Sequence, residues 1–224
     1  MQALVTTPAG QARITRHLSP DRRAVLVLGH GAGGGIEAPD LQALATALPA
    51  HGIEVVLVEQ PWRVAGKRIA PAPKTLDAAW APVIEHLRGL AGTTGPADPP
   101  VPLLVGGRSA GARVACRTGM ASGAAGVLAL AFPLHPPGKT EKSRAAELLG
   151  TGLPTLVVQG ASDPLGTPAE FPDLPTTHRL VALPTGNHEF AVRKDQTPVL
   201  DLIVEAVTAW LSNLIQPDRR EPTG

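Results

Sequence analysis

Three residues far apart in the chain have the types and the order needed for nucleophilic catalysis: Ser109, Asp163 and His188. Ser109 stands in Val101-Pro102-Leu103-Leu104-Val105-Gly106-Gly107-Arg108-Ser109-Ala110-Gly111-Ala112-Arg113-Val114-Ala115, an apolar run that turns on glycines and continues in small, helix-compatible residues. Gly107, Ser109 and Gly111 match the G-x-S-x-G pattern, in which a strand turns abruptly into a helix. A serine at such a tip is held in a strained backbone conformation, and side chains two residues either side would collide with the neighbouring strand or helix. The turn lifts the hydroxyl clear of the sheet and aims the Ala110 N–H at the place where an oxyanion would form. A serine hydroxyl is a poor nucleophile at neutral pH; it needs a base, and the base needs an orienting acid. On a strand–turn–helix scaffold of this kind the chain order is serine, acid, histidine. Asp163 follows an apolar strand in Gln159-Gly160-Ala161-Ser162-Asp163-Pro164, and His188 follows the last strand in Pro184-Thr185-Gly186-Asn187-His188-Glu189-Phe190. Taken singly, Ser-Asp-Pro is ordinary turn chemistry and Gly-Asn-His an ordinary surface loop. Their joint placement after successive strands, downstream of the elbow, makes the three residues a candidate triad.

A second oxyanion donor is expected from Gly29-His30-Gly31-Ala32-Gly33-Gly34-Gly35, the loop after the strand at 24–28. The N–H of Ala32 is the first choice, with Gly31 and Gly33 as near alternatives. Read instead as a phosphate cradle, this loop lacks a Gly-Lys-Ser/Thr ending and a well-placed G-x-G-x-x-G. Gly31, Arg63 and His135 are the candidates to contact substrate. Arg63, Lys67 and Arg68 follow a strand end, and they either face the site and attract an anion or form a solvated basic loop. His135, in Pro133-Leu134-His135-Pro136-Pro137, either lines the pocket or packs structurally. Arg108 is expected to brace the elbow through a buried hydrogen bond or ion pair. The seven histidines contain no HxxxH or HxH pair, so no metal is expected. Cys116 is expected to pack in the core.

The elements that must position these residues alternate along the chain. Residues 2–7 and 11–18 read as an amphipathic hairpin around Pro8-Ala9-Gly10. Apolar strands follow at 24–28, 53–58, 126–132, 155–159 and 179–183, without polar alternation for the most part, as in a parallel sheet buried on both faces, and the elbow strand with its helix occupies 101–121. Besides the elbow helix, helices are predicted near 40–50, 76–90, 143–149 and 198–214, from apolar residues at helical spacing, with one helical turn near 168–174. The loop 59–73 is proline-broken and basic, 92–100 is a Gly/Pro-rich linker, and residues 216–224 are a polar tail. The fold class is therefore α/β: a mostly parallel sheet of about seven or eight strands with helices on both faces, and functional residues beyond the carboxyl ends of the strands. The connection over 133–154 is too short for a large lid. One domain is expected over 1–215.

Composition excludes several other classes. With 224 residues the chain can bury one sizeable core. Twenty basic against 19 acidic residues give a net charge of +1, which supplies no field to recruit nucleic acid or a membrane surface. The longest apolar and small-residue run, 124–134, is far short of a bilayer span, and no signal-like start is present. A single cysteine permits no intramolecular disulfide and suits a reducing compartment, so a cytoplasmic protein is expected.

With these residues assembled, the chain resembles the α/β-hydrolases. More narrowly, it is similar to the small lid-less hydrolases related to the testis-expressed α/β-hydrolase-like proteins, near the dienelactone hydrolase branch. The resemblance covers almost the whole chain and rests on residues 29–34, 60–68, 106–111, 132–139, 159–166 and 186–188. It implies the α/β-hydrolase fold and a triad of Ser109, Asp163 and His188. Dienelactone hydrolases proper carry cysteine at the elbow, and many relatives read Asp-His where this chain has Asn187-His188. The expectation is a serine hydrolase acting on an ester or thioester of modest size, with a small-molecule substrate, no cofactor and an undefined oligomeric state. The alternative is a non-catalytic scaffold or binding module on the same fold.

Overall fold

Residues 24–28 are apolar without interruption and residues 53–58 are apolar but for Glu54, and both stretches are buried throughout in strands. The computed structural model describes residues 1–91 and 101–215. The strands are β1 (Gln2–Thr7), β2 (Gly10–His17), β3 (Ala24–Gly29), β4 (Ile53–Glu59), β5 (Leu103–Arg108), β6 (Val127–Leu130), β7 (Thr155–Gln159) and β8 (His178–Ala182). They form one sheet in the order β1-β2-β4-β3-β5-β6-β7-β8. The β1–β2 and β2–β4 pairs are antiparallel, and every other pair is parallel.

Among the described residues six helices cover the sheet: α1 (Pro39–Ala47), α2 (Pro61–Val64), α3 (Pro73–Ala91), α4 (Ala110–Thr118), α5 (Ala145–Leu149) and α6 (Leu200–Ile215). Successive strand residues point to opposite faces, so each face acquires its own core. Val25 and Val27 pack with Trp80, Val83, Leu87 and Val114 of α3 and α4. Leu26 and Leu28 pack with Leu41 and Leu44 of α1 and with Ile203 and Val207 of α6. Nine residues with no side-chain N-cap would be marginal as an isolated helix. Burial of Leu41 and Leu44, worth about 1.5–3 kcal/mol each, holds α1 in place. Pro39 at its start donates no hydrogen bond that a first turn would need.

The sequence-based boundaries hold within a few residues, with three physical exceptions. The basic loop after β4 contains α2, begun by Pro61, where proline punctuation reads as irregular chain. Helix α3 starts at Pro73, ahead of its first leucine. Strand β6 stops at Leu130 because Ala131 takes a left-handed conformation, φ 45°. The connection from β6 to β7 holds only a 3₁₀ turn (Thr140–Lys142) and α5, and no large lid is inserted there. The linker expected at 92–100 and the tail at 216–224 lie outside the described residues. Among those described, no helix is long and apolar enough to cross a membrane.

Topology locates the site. The chain runs from β3 to β4 on one side, then crosses to β5 on the other, so β3 and β5 meet at a switch point. Their registered ends, Gly29 opposite Gly107, open a crevice between loops that leave to opposite faces of the sheet.

Candidate active site

The tip of that crevice is Ser109, with φ 53° and ψ −108°, a combination costly for a residue other than glycine. Its N–H donates to the Leu130 carbonyl (2.9 Å), which ties the strained residue to the end of β6. A side chain at either Gly107 or Gly111 would run into the Gly29 carbonyl, so the elbow closes against β3 only with glycine at both places. Two arginines anchor the following helix. Arg113 pairs with Glu147 (2.5 Å) and Arg117 with Asp77 (2.6 Å), joining α4 to α5 and α3.

His188 lies 79 residues further on and meets the elbow: its Nε2 is 2.8 Å from Ser109 Oγ. Its Nδ1 is 2.8 Å from Asp163 Oδ2. Asp163 is fully buried, and its carboxylate also accepts from Gln159 Nε2 on Oδ2 (2.9 Å) and from the Leu165 N–H on Oδ1 (2.8 Å). An ionised carboxylate only accepts, so the imidazole proton belongs on Nδ1 and leaves Nε2 to accept from the serine hydroxyl. The structure thus brings together Ser109, Asp163 and His188.

The loop carrying His188 is shaped by its neighbours. Asn187 Oδ1 accepts from the N–H groups of Glu189 (2.8 Å) and Ala191 (3.0 Å), an Asx turn that gives asparagine a structural use beside the histidine. Phe190 is left-handed, φ 54°, and drops its ring into the core. Gly160 permits the acid's turn to approach this loop, since a side chain there would strike the Gly186 carbonyl. Ser162 then clasps that carbonyl through both its N–H and its hydroxyl, each at 3.0 Å.

On the other side of Ser109 the glycine-rich loop is organised by His30, which is buried. The Gln60 N–H donates to His30 Nε2 (3.1 Å), so Nδ1 carries the proton and donates to the Gly31 carbonyl (2.8 Å). Gly31 packs alongside Ser109; a Cβ there would stand 3.5 Å from the Ser109 Cβ. Ala32 and Ala110 both border one small cavity, and their N–H groups have no hydrogen-bond partner among the described residues. Burial pushes the His30 pKa below its ordinary 6.5, partly offset by the bond to Gly31. In the unfolded chain His30 titrates near 6.5, so as pH falls through that value the unfolded state takes a proton that the folded state refuses, and stability drops. The urea midpoint is expected to fall between pH 7.5 and 5.5, with the fall shallower in His30→Gln. His135, whose pKa is raised chiefly by its bond to the Pro136 carbonyl, acts in the opposite sense, which makes the variant comparison the informative one. An unchanged slope in His30→Gln would remove His30 from this account.

Arg108 and Asp40 were not both visible from the sequence. Arg108 Nη2 donates to the backbone carbonyl of His188 (2.7 Å), so the residue before Ser109 holds His188 from behind. Its Nε stands 3.5 Å from Asp40 Oδ2, within ion-pair distance but outside hydrogen-bond geometry. Burial pushes the Asp40 carboxyl up, and Arg108 works against that shift. Sequence alone shows Asp40 only as a first-turn acid; nothing in it signals the pairing. Removing one member of a buried pair strands the other, so Arg108→Met is expected to cost about 3–5 kcal/mol in urea unfolding. Arg108→Met combined with Asp40→Asn should recover much of that loss; a double variant as unstable as the single would exclude the pair as its cause. Gln159 was likewise given no role by sequence reasoning, although a polar residue ending a buried strand four positions before Asp163 was a usable signal.

The remaining candidates make no hydrogen bond or ion pair with Ser109, Asp163 or His188 among the described residues. Arg63 pairs with Glu37 at 3.4 Å, and Lys67 and Arg68 are exposed. His135 is buried against the Pro136 carbonyl (2.9 Å) and Glu170 (3.1 Å), and none of its contacts reaches Ser109 or His188. Cys116 is buried, its thiol pushed up to about 12 by that burial, and so is no competing nucleophile.

The sheet order, the elbow after β5 and the loops beyond the strand ends define the α/β-hydrolase class. A family model described as an alpha/beta hydrolase domain matches residues 22–216, and the chain belongs to that family. Similar solved structures include an α/β serine hydrolase without a lid from Xanthomonas campestris, with 20% identity, 94% of each chain covered and a TM-score of 0.71. A dienelactone hydrolase from Anabaena variabilis is 18% identical, with 95% of this chain and 96% of that one covered and a TM-score of 0.70. A thermophilic esterase from Thermogutta terrifontis is 16% identical, with 96% and 100% covered and a TM-score of 0.64. At these identities the likeness is one of fold.

Proposed function

We propose that this protein is a serine hydrolase that cleaves an ester or thioester of modest size by acyl transfer, with residues 1–215 working as one domain. The observation that carries the reading is His188 bridging Ser109 Oγ and Asp163 Oδ2 at 2.8 Å on each side. His188 Nε2 takes the serine proton as Oγ attacks the carbonyl carbon, and Asp163 stabilises the imidazolium that forms. The N–H groups of Ala32 and Ala110 receive the negative charge on the carbonyl oxygen. His188 then gives its proton to the departing oxygen or sulfur, leaving an acyl-serine. Water, deprotonated by the same nitrogen, attacks that ester and regenerates the hydroxyl. Every proton and charge is handled by side chains or backbone N–H groups, so the cycle calls for no cofactor. Similarity to structures named as a lid-less serine hydrolase and an esterase supports the reading. With a single cysteine the chain is suited to the cytoplasm.

The test is covalent labelling by a fluorophosphonate, with the modified peptide identified by mass spectrometry. Modification is expected at Ser109, with labelling slowed severely in His188→Ala. Folded protein that stays unlabelled, or is labelled at another residue, would overturn the assignment.

A further inference from the structure

We propose that a groove beside His188 binds the alcohol portion of the substrate, and that the preferred substrates are esters of small acids with uncharged, apolar alcohols. This rests on the serine hydrolase reading above. The groove measures about 520 Å³ and runs between residues 34–39 and 189–200. That volume lies inside the range of pockets that enclose small organic ligands. Its walls are Ala38, Pro39, Phe190, Val192, Val199 and Leu200. Phe190 and Val199 are core residues, and Ala38, Val192 and Leu200 pack against that core, so the apolar lining is anchored.

Position decides which half of an ester belongs there. The leaving oxygen must come within reach of His188 Nε2 to collect its proton. A substituent on that oxygen extends along the His188 loop, and Glu189 and Phe190 of that loop, with Arg108 behind it, border the groove. The space bounded by Ala32 and Ala110, by contrast, is about 10 Å³, closed by Trp62, Leu76 and Val114. It admits one oxygen atom and no chain. Charge narrows the choice further. Glu37 and Glu189, both exposed, border the groove, while Arg108 is already engaged by the His188 carbonyl and Asp40. A carboxylate on the alcohol would meet the charge of Glu189, unpaired among the described residues, and that of Glu37 as well, which Arg63 at 3.4 Å only partly offsets.

Two ester series test this, because simple aliphatic alcohols differ little as leaving groups. From ethyl to butyl to hexyl acetate, kcat/KM is expected to rise roughly tenfold or more. From ethyl acetate to ethyl hexanoate it should stay flat or fall. In Leu200→Trp and Val192→Trp the hexyl-to-ethyl ratio should collapse toward one. The acetate ester of 6-hydroxyhexanoate should be at least about tenfold poorer than hexyl acetate, as expected where a buried face meets an uncompensated charge, and Glu189→Gln should narrow that gap. A rate that climbs with acyl length and ignores the alcohol, in enzyme that is labelled at Ser109, overturns the groove assignment alone. Enzyme that neither labels nor turns over any ester overturns the hydrolase reading and this one with it.

Discussion

Ser109→Ala is expected to lower kcat for ester hydrolysis by about a million-fold, with the folded state preserved. The substitution deletes one atom, Oγ, and leaves the Cβ and the backbone where they are. The left-handed conformation of residue 109 is held by the Leu130 carbonyl and by the close packing of Gly107 and Gly111 on Gly29, none of which involves the hydroxyl. His188 keeps its bond to Asp163 and the support of Arg108. What remains is an oxyanion site and a general base without a nucleophile, so a residual rate about 10³-fold above water is expected from those elements. The pre-steady-state burst of 4-nitrophenol from 4-nitrophenyl acetate should vanish in the variant while its urea midpoint stays put. A variant that kept its burst would remove Ser109 from the chemistry.

Asp163→Asn should lower kcat by about 10⁴-fold through the wrong imidazole tautomer. The native carboxylate accepts from three donors: His188 Nδ1, Gln159 Nε2 and the Leu165 N–H. An amide offers one oxygen and one NH₂, and cannot accept at both ends. If its oxygen keeps the Leu165 N–H, the NH₂ faces His188 Nδ1, which must then become an acceptor. The ring proton moves to Nε2, where it opposes the serine hydroxyl instead of receiving its proton. The same NH₂ confronts the Gln159 donor inside a fully buried site, an unmet pairing worth about 1–3 kcal/mol of stability. Both effects belong to one atom exchange, so kcat and the urea midpoint should fall together. Loss of turnover with no loss of stability would mean that the acid's buried bonds are looser than the distances indicate.

The inner strands were legible because a sheet buried on both faces writes itself as unbroken apolar runs, as at 24–28 and 127–130. The elbow was legible for a related reason. Tight packing against Gly29 demands glycine at fixed offsets from Ser109, and such offsets survive in a linear reading. Asp163 and His188 were found by order and by strand ends, which are also local properties. Features that depend on a distant partner were not legible. Asp40 reads as a polar first-turn residue until Arg108, 68 positions away, is folded against it. Helix α2 hides behind prolines that fit a loop equally well. The groove draws on two segments about 150 residues apart, neither apolar enough on its own to suggest a binding wall.

The clasp between Ser162 and Gly186 has a mechanical meaning. Asp163 and His188 are stitched together beyond the outer strands β7 and β8, whereas Ser109 and the glycine-rich loop follow the innermost strands β5 and β3. The last of these strands, β8, is a sheet edge and is half open to solvent. Fraying from that edge would carry histidine and aspartate away as a unit, leaving an armed oxyanion pocket around an unassisted serine. Inactivation of this protein by mild heat or denaturant is thus expected to precede the melting of the sheet, and amide exchange over β8 faster than over β5 would check it.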